Sequence, residues 1–364
     1  MKWSLSLGKP FGIAVFVHWT FLILIAWIVY MNVQQGQGIE ETLAAIVFVL
    51  AIFACVTFHE YGHALAARRY GIQTKHITLL PIGGVASLEE MPENPKQELV
   101  VAIAGPLVNV VIALILFLGL YFTGNLYFDA EQIELGYLNF QNFFLGLMAV
   151  NIILVVFNMI PAFPMDGGRV FRALLTFKMG RIKATNIAAL LGQITAFFFV
   201  ILGLFYNPFM IFIGIFVFLG AQAEANQVKT KGLLQDYTVR EIMMTKLPIV
   251  QTSQTISEVV KIILDGQDKE FIVMENENMK GILTRNMVIK GLSEKGNNAL
   301  ISEIASTDFP VLSPDQTLND VYHKMMIKKF DIAPVMENGE LIGVLNTENI
   351  SEFMMVRNAM DKNK

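Results

Sequence analysis

The residues best suited to chemistry are His59, Glu60 and His63, in the stretch FHEYGH near the end of an apolar run at residues 43–67. If that run is helical, His59 and His63 lie one turn apart on the same face and can bind one metal ion, with Glu60 beside it. Zinc held in this way keeps one coordination position open for water, and a neighbouring carboxylate can take the proton of that water as it attacks a carbonyl. The spacing therefore predicts a hydrolytic zinc site.

Composition places this motif in a membrane protein. The 364 residues are 54% hydrophobic and 16% charged, with a mean hydropathy of +0.53, which is more apolar than a soluble protein of this size. Chance occurrence is the alternative interpretation of the motif, but two histidines and a glutamate in a membrane span are costly unless they have partners and a function. A net charge of −4 without a basic, aromatic-rich patch argues against a nucleic-acid partner. The single cysteine, Cys55, excludes an intrachain disulfide framework.

Six apolar segments are long enough to cross a bilayer, which takes about 17 to 25 residues. The predicted spans are residues 11–32, 43–67, 98–122, 143–161, 186–206 and 208–225. Lys and Arg occur at the N terminus and after the second, fourth and sixth spans, whereas the loops on the other side (33–42, 123–142 and 206–207) contain none. The positive-inside rule therefore predicts a multi-pass cell-membrane protein with both termini in the cytoplasm. His59 and His63 would lie about 7–15 Å inside the cytoplasmic face at 1.5 Å per residue.

A second candidate half-site follows the fourth span, in the segment NMIPAFPMDGGR at residues 158–169. Two prolines and two glycines cannot continue a helix, so we expect a loop at the membrane edge to present Asp166. Two histidines leave a tetrahedral zinc ion one protein ligand short, and Asp166 at matching depth can supply it. A turn-forming aspartate is the alternative. Asn158 could hydrogen-bond a substrate carbonyl or the developing oxyanion, or serve as a packing amide.

Residues 74–90 (TKHITLLPIGGVASLEE) lie between the second and third spans. Their β-branched residues, broken by a proline and two glycines, predict a short β-hairpin or a re-entrant pair of strands, with a plain cytoplasmic linker as the alternative. A strand with a free edge here could pair with an extended substrate backbone. The candidate substrate-binding residues are Pro81, Ile82, Gly83, Gly84 and Val85. The third span follows with AGPLVN at residues 104–109, where Asn109 needs a hydrogen-bond partner if it faces protein.

Together these motifs resemble the site-2 protease family of intramembrane zinc metalloproteases. The resemblance rests on HExxH in the second span, PIGGVA at residues 81–86, AGPLVN, and NxxPxxPxDGG after the fourth span. It implies a six-span core that hydrolyses a peptide bond within or beside a transmembrane helix of another protein. It also implies one Zn²⁺ per chain held by His59, His63 and Asp166, with Glu60 as general base and Asn158 near the site.

The C-terminal part is an internal repeat, in which residues 240–287 align with residues 302–349 at an offset of 62 and without a gap. Each copy reads as strand, helix, strand, strand, helix, and the two copies should bury their apolar faces against each other. This part resembles a tandem pair of CBS domains. The expected fold class is thus a polytopic α-helical membrane protein with a short β-hairpin, followed by a soluble α/β tandem CBS domain. The predicted boundaries are 1–226 for the membrane core, 227–235 for a linker, and 236–298 and 299–364 for the repeats.

Tandem CBS pairs often bind adenine nucleotides between the repeats, through an aspartate that ends a T/S-x-x-D motif. This chain departs from that motif, since Thr284 is followed by Met287, and Asn346 by Asn349. The resemblance implies Thr284, Asn346 and Asn349 as candidate nucleotide contacts, while a docking or homodimerisation module without a ligand is the alternative. A tail that senses a cytoplasmic signal would control access to the zinc site.

Two other classes of protein fit parts of this pattern. An ion transporter could bind its ion through the intramembrane polar residues, with the tail regulating flux. Against it, the ionisable residues cluster on one side of the membrane, and no inverted repeat of spans is visible. A non-catalytic scaffold for membrane helices would not need Glu60. The zinc protease is therefore the favoured hypothesis.

Overall fold

The computed structural model describes residues 4–81, 83–88, 91–126, 142–246, 248–266 and 269–361. The chain divides into two compact units, Met1–Val228 and Lys229–Lys364. The first unit holds the apolar helices and a small β-sheet, and the second holds the internal repeat. Most of the predicted linker at residues 227–235 is helical, because the last helix of the apolar region continues to Leu234.

The described part of the first unit contains seven α-helices: α1 (Phe21–Gln34), α2 (Ile39–Arg68), α3 (Pro95–Phe122), α4 (Phe143–Asn158), α5 (Asp166–Met179), α6 (Arg181–Phe205) and α7 (Phe209–Leu234). Within the described ranges, α2, α3, α6 and α7 are long and apolar enough to cross a membrane, whereas α1 and α4 are apolar but shorter. Helices of 14 and 16 residues extend only about 21–24 Å, against about 30 Å of hydrocarbon. Four of the six predicted spans therefore meet the length requirement. Large apolar side chains such as Phe197, Phe205 and Phe212 lie exposed on these helices, as lipid-facing surfaces require.

The prediction of a first span at residues 11–32 is wrong for its N-terminal part. Strands β1 (Ser4–Gly8) and β2 (Ala14–His18) pair in antiparallel fashion there, and α1 begins only at Phe21. The segment is apolar because Ile13 and Val15 are buried in a core beside β2. A short apolar run cannot be assigned to a buried strand or to a helix by hydropathy alone.

The predicted hairpin is confirmed and belongs to a larger sheet than expected. Strand β3 (Thr74–Leu80) pairs with β4 (Gly83–Leu88) in antiparallel fashion and with β2 in parallel. Among the described strands of this unit the order is β1-β2-β3-β4, so β4 forms one edge. Ile77 and Leu79 on β3 pack against Tyr61 and Ala64 on α2. The sheet is thereby attached to the helix that carries both histidines.

The chain breaks after α4, as its prolines predict, but Asp166 begins α5 instead of lying in a loop. The following glycines permit close packing. A Cβ at Gly167 would collide with the backbone of Met159 and Ile160, and one at Gly168 would lie 2.6 Å from the carbonyl carbon of Ala162. The glycine pair thus lets α5 start directly against the preceding loop. Asp166 then occupies a helix N-terminus, which favours a carboxylate.

The second unit contains two copies of one motif. The first copy comprises α8 (Val239–Ile242), β5 (Ile249–Gln251), α9 (Ile256–Asp265), β6 (Glu270–Glu275), β7 (Asn278–Thr284) and α10 (Arg285–Lys295). The second comprises α11 (Leu318–Lys328), β8 (Ile332–Glu337), β9 (Glu340–Asn346) and α12 (Thr347–Asp361), in register with the 62-residue offset. Ile272 and Ile282 share one buried cluster with Ile332 and Val344, so the apolar faces meet as predicted. The first strand of the second copy is reduced to an isolated bridge from Leu312 to Val335.

Candidate metal centre

Three potential metal ligands converge at one point between α2 and α5. Asp166 Oδ2 lies 3.1 Å from Nε2 of His59 and 3.1 Å from Nε2 of His63, and these two nitrogen atoms are 3.1 Å apart. All three side chains are buried. Ligands about 2.0–2.1 Å from a tetrahedral zinc ion are separated by roughly 3.3 Å. The three atoms can therefore share one ion.

The other ring nitrogen of His63 determines which tautomer is present. His63 Nδ1 lies 2.7 Å from the carbonyl oxygen of Val101 in α3. A carbonyl oxygen only accepts hydrogen bonds, so Nδ1 carries the proton. Nε2 of His63 is left with a lone pair that points towards Asp166, as a metal-binding imidazole requires.

A chain of amides determines the tautomer of His59 in the same way. The carbonyl of Leu147 in α4 accepts from Asn151 Nδ2 at 2.8 Å, Asn151 Oδ1 accepts from Asn109 Nδ2 at 2.9 Å, and Asn109 Oδ1 lies 2.7 Å from His59 Nδ1. Because the chain ends on a carbonyl, each amide orientation follows from the one before it. His59 Nδ1 must donate, so Nε2 of His59 also presents a lone pair. Asn109 and Asn151 are fully buried.

The donor set fits a zinc ion. The Nε2 atoms of the two histidines and Oδ2 of Asp166 lie about 3 Å apart. Because the proton of each imidazole is on Nδ1, all three atoms present lone pairs, which repel one another unless a cation lies between them. Two histidines and one aspartate leave the fourth position of a tetrahedral site open, which is typical of catalytic zinc. The Nδ1 partners fix the orientation of both rings.

We expect Asn109→Leu to weaken zinc binding by about 10–100-fold, because His59 loses the acceptor that orients its ring and fixes its tautomer. Retention of zinc by the purified protein against a competing chelator measures the effect. Gln193→Leu is a matched control, since it removes a helix amide whose hydrogen-bond partner, Gln222, is not one of the three ligands. Equal zinc retention by the two variants would contradict the role given to Asn109.

Glu60 lies between the two histidines in sequence and against the hairpin in space. A Cβ placed on Gly84 would lie 3.0 Å from Glu60 Cγ, 3.4 Å from Glu60 Oε1 and 2.9 Å from Val56 Cγ1. The backbone of β4 therefore passes directly beside the carboxylate that follows His59. The structure thus brings an edge strand next to the predicted general base.

The predicted substrate-binding residues fall at the start of this strand. Pro81 lies in the turn of the hairpin, while Gly83, Gly84 and Val85 begin β4. Ile82 lies outside the described residues. Contact of these positions with a substrate stays a prediction.

Asn158 is the last residue of α4 and is half-buried. In the described part of the chain, no hydrogen bond joins its side chain to His59, His63 or Asp166. The amide that contacts His59 is that of Asn109, which in turn is hydrogen-bonded to Asn151. Asn109 was singled out from the sequence, whereas Asn151 was not. The available signal was an amide in the middle of an apolar helix, where a polar side chain needs a partner.

A buried cluster of charged side chains lies beside Asp166. Arg172 in α5 pairs with Glu98 in α3 through Nε at 2.7 Å and also through Nη2, and both residues are almost completely buried. Glu224 in α7 accepts from Arg172 Nη1 and from Arg169 Nη2, each at 3.2 Å. Arg181 in α6 contacts Glu98 at 3.3 Å. Buried ions are stable only when paired in this way, so the cluster connects four helices around the metal ligand.

Two of the three candidate nucleotide contacts, Thr284 and Asn346, have structural roles as helix caps. Thr284 accepts from the backbone N–H of Met287 at the start of α10, and Asn346 accepts from that of Asn349 at 2.7 Å. Asn346 Nδ2 also donates to Glu270 of the first repeat at 2.7 Å. Burial of the Glu270 carboxyl raises its pKa above the ordinary value. Nucleotide binding at these positions stays a prediction.

Both units of the chain match known families. Residues 47–134 and 128–202 match the Peptidase family M50, and residues 239–294 and 301–356 match the CBS domain. The two CBS matches contain the two copies of the repeat, residues 240–287 and 302–349.

Relatives with similar length cover the chain almost from end to end. It is 30% identical over 357 residues to a zinc metalloprotease of Methanocaldococcus jannaschii, covering 98% of this chain and 97% of the relative. It is 27% identical over 376 residues to a putative zinc metalloprotease of Synechocystis sp., covering 98% and 91%. A solved site-2 protease from Methanocaldococcus jannaschii is 34% identical and aligns with 61% of this chain and 95% of that chain, with a TM-score of 0.46.

Proposed function

Because this chain belongs to the peptidase family M50 of zinc metalloproteases and carries a tandem CBS pair, we propose that it is an intramembrane metalloendopeptidase. In this proposal it hydrolyses a peptide bond within or next to a transmembrane helix of another membrane protein, in regulated intramembrane proteolysis. The observation that carries the proposal is the convergence of His59, His63 and Asp166 from two helices, with both imidazole tautomers set for metal binding.

Glu60 and the hydrogen-bond partners of the two histidines have separate roles in the proposed reaction. When bound, zinc would supply a Lewis acid that polarises the scissile carbonyl and lowers the pKa of water. Glu60 accepts the proton of the attacking water and returns it to the leaving amine. The partners of the two histidines, Asn109 Oδ1 and the Val101 carbonyl, keep the ring nitrogens aimed at one point throughout.

The position of the hairpin supports a mode of substrate binding. Carbonyls of a transmembrane helix are engaged in hydrogen bonds, so a substrate must unwind locally before water can attack. β4 lies at the edge of the described sheet and passes beside Glu60 at Gly84. We assign residues 81–85 to pairing with the released substrate backbone, which fixes the scissile bond beside the general base.

The remaining assignments concern topology and regulation. The distribution of Lys and Arg supports both termini and the CBS pair in the cytoplasm of a multi-pass cell-membrane protein. The CBS pair modulates access or activity, with an adenine nucleotide as the ligand to test first and homodimerisation as a second role. Helix α7 continues without a break to Leu234, through most of the segment predicted as the linker to the repeats.

Metal content of the full-length, detergent-purified protein tests the proposal. We expect about one zinc per chain in the wild type and loss of most zinc in His59→Ala and Asp166→Ala, because each removes one of three protein ligands. Asp315→Ala, on an exposed surface of the second repeat, is the control and should keep its zinc. A folded wild type without zinc, or zinc indifferent to Asp166, would refute the proposed site.

A further inference from the structure

The two oxygens of Asp166 face different partners. Oδ2 faces the two histidines, whereas Oδ1 lies 3.9 Å from Nη1 of Arg169, one turn further along α5. The other end of that guanidinium, Nη2, donates to Glu224 Oε1 at 3.2 Å. Arg169 therefore lies between two carboxylates, hydrogen-bonded to Glu224 and at longer range from Asp166.

The position of Glu224 is fixed by other charged residues, so Glu224 can in turn fix the position of Arg169. Its second oxygen, Oε2, accepts from Arg172 Nη1 at 3.2 Å, and Arg172 is anchored by its ion pair with Glu98 in α3. Arg172 and Glu98 are 1% and 0% exposed. In the described part of the chain, Arg169 Nε has no hydrogen-bond partner, so the guanidinium is held only through its terminal nitrogens.

An arginine this close to a metal ligand is a competitor for it. Guanidinium and carboxylate groups form strong, bidentate hydrogen bonds, and a carboxylate engaged in this way donates less charge to a metal ion. We propose that Glu224 is a positioning residue that holds the Arg169 guanidinium off Asp166 and so leaves this carboxylate free to bind zinc. The inference rests on the zinc site of the proposed function.

The cluster contains a matched control for this role. Arg181 is 24% exposed and Arg169 is 23% exposed. Arg181 pairs with Glu98 at 3.3 Å and donates to the carbonyl oxygens of Pro92 and Glu93. It belongs to the same network of charges, but its partners are not metal ligands. A general loss of charge pairing would affect both arginines, whereas competition for Asp166 involves only Arg169.

The test compares E224Q, the double variant R169Q/E224Q, and R181Q in the full-length, zinc-loaded protein. The rate of zinc transfer to excess chelator and the visible absorption spectrum after substitution with Co²⁺ are measured. We expect E224Q to release zinc about 10-fold faster or more and to shift the Co²⁺ spectrum, as changes of residues around metal ligands do. In the double variant, the rate of zinc release and the Co²⁺ spectrum should return towards those of the wild type. R181Q should match the wild type in both.

The double variant separates competition from structural damage. E224Q and R169Q/E224Q both replace the charged partner of Arg172 Nη1 with the same neutral amide, so the two variants differ only in whether the guanidinium of residue 169 is present. Zinc release by E224Q that equals that of R181Q, or a double variant as impaired as E224Q, would overturn the inference. If E224Q cannot be purified, E224D decides by the same criteria, because its shorter side chain draws the carboxylate away from Arg169. A wild type that binds no zinc refutes the proposed function instead, so the two failures are distinguishable.

Discussion

Glu60→Gln is expected to lower the rate of cleavage of a membrane-spanning substrate by about 10²–10⁴-fold, the usual contribution of a general base. Glutamine preserves the size and packing of the side chain beside Gly84 but cannot accept the proton of the attacking water. Zinc content should stay at the wild-type level, because the converging ligand atoms belong to His59, His63 and Asp166. Cleavage of a purified model substrate in detergent, together with metal analysis, measures both quantities.

Glu40→Gln provides the control for this experiment. Glu40 is exposed in the first turn of the same helix, about 30 Å from Glu60 at 1.5 Å per residue, so the variant should cleave normally. Undiminished cleavage by Glu60→Gln would remove Glu60 from the mechanism. Loss of zinc in Glu60→Gln would instead make this carboxylate part of the metal site.

Gly105→Ala is expected to distort the metal site through a single methyl group. Gly105 lies in α3 directly against the ring of His63, where a Cβ would overlap Nε2 and lie 2.6 and 2.7 Å from Cε1 and Cδ2. The ring is held from its other side by the bond from Nδ1 to Val101, so the methyl group must displace either His63 or α3. A displacement of about 1 Å at a catalytic group can cost about 10²-fold in rate. We therefore expect at least that loss of activity, with zinc retention reduced in parallel.

Gly119→Ala in the same helix separates this effect from a general change in α3. A Cβ at Gly119 meets nothing within 4 Å, and alanine in a helix is favoured over glycine by about 0.5–1 kcal/mol. This variant should keep its zinc and its activity and unfold at an equal or slightly higher temperature. A Gly105→Ala protein with wild-type zinc retention would mean that α3 does not constrain His63 as the geometry requires.

Local spacing was sufficient to find the parts of the site that lie within one element. His59 and His63 are four residues apart in an apolar run, and any helix there brings them to one face. The hairpin could also be predicted from sequence, because a run of β-branched residues that is interrupted by Pro81 and two glycines is typical of two short strands joined by a turn. The 62-residue offset of the C-terminal repeat predicted that β8 is the equivalent of β6 and that β9 is the equivalent of β7.

Other features depended on contacts between residues far apart in the chain. Residues 14–18 have the hydropathy of a span but form a strand, because β3, some sixty residues later, provides a partner and a core. Asn109 and Asn151 join the site through a hydrogen-bond chain across α2, α3 and α4. Asn158, for which the sequence left open a role at the site or in helix packing, lies at the end of α4 without a hydrogen bond to the metal ligands among the described residues.

The sequence by itself determined which groups are available for chemistry: two imidazoles at helical spacing, a carboxylate beside them, a second carboxylate after the fourth apolar segment, and a tandem CBS pair. Only the tertiary structure decided how these groups are arranged: the hydrogen bonds that set the tautomers of His59 and His63, the edge strand beside Glu60, and the guanidinium of Arg169 between Asp166 and Glu224. The physical reason is range. Helical and strand periodicity acts over a few residues and is written in the order of side chains, whereas a hydrogen bond or ion pair between helices depends on packing that brings distant residues within about 3 Å.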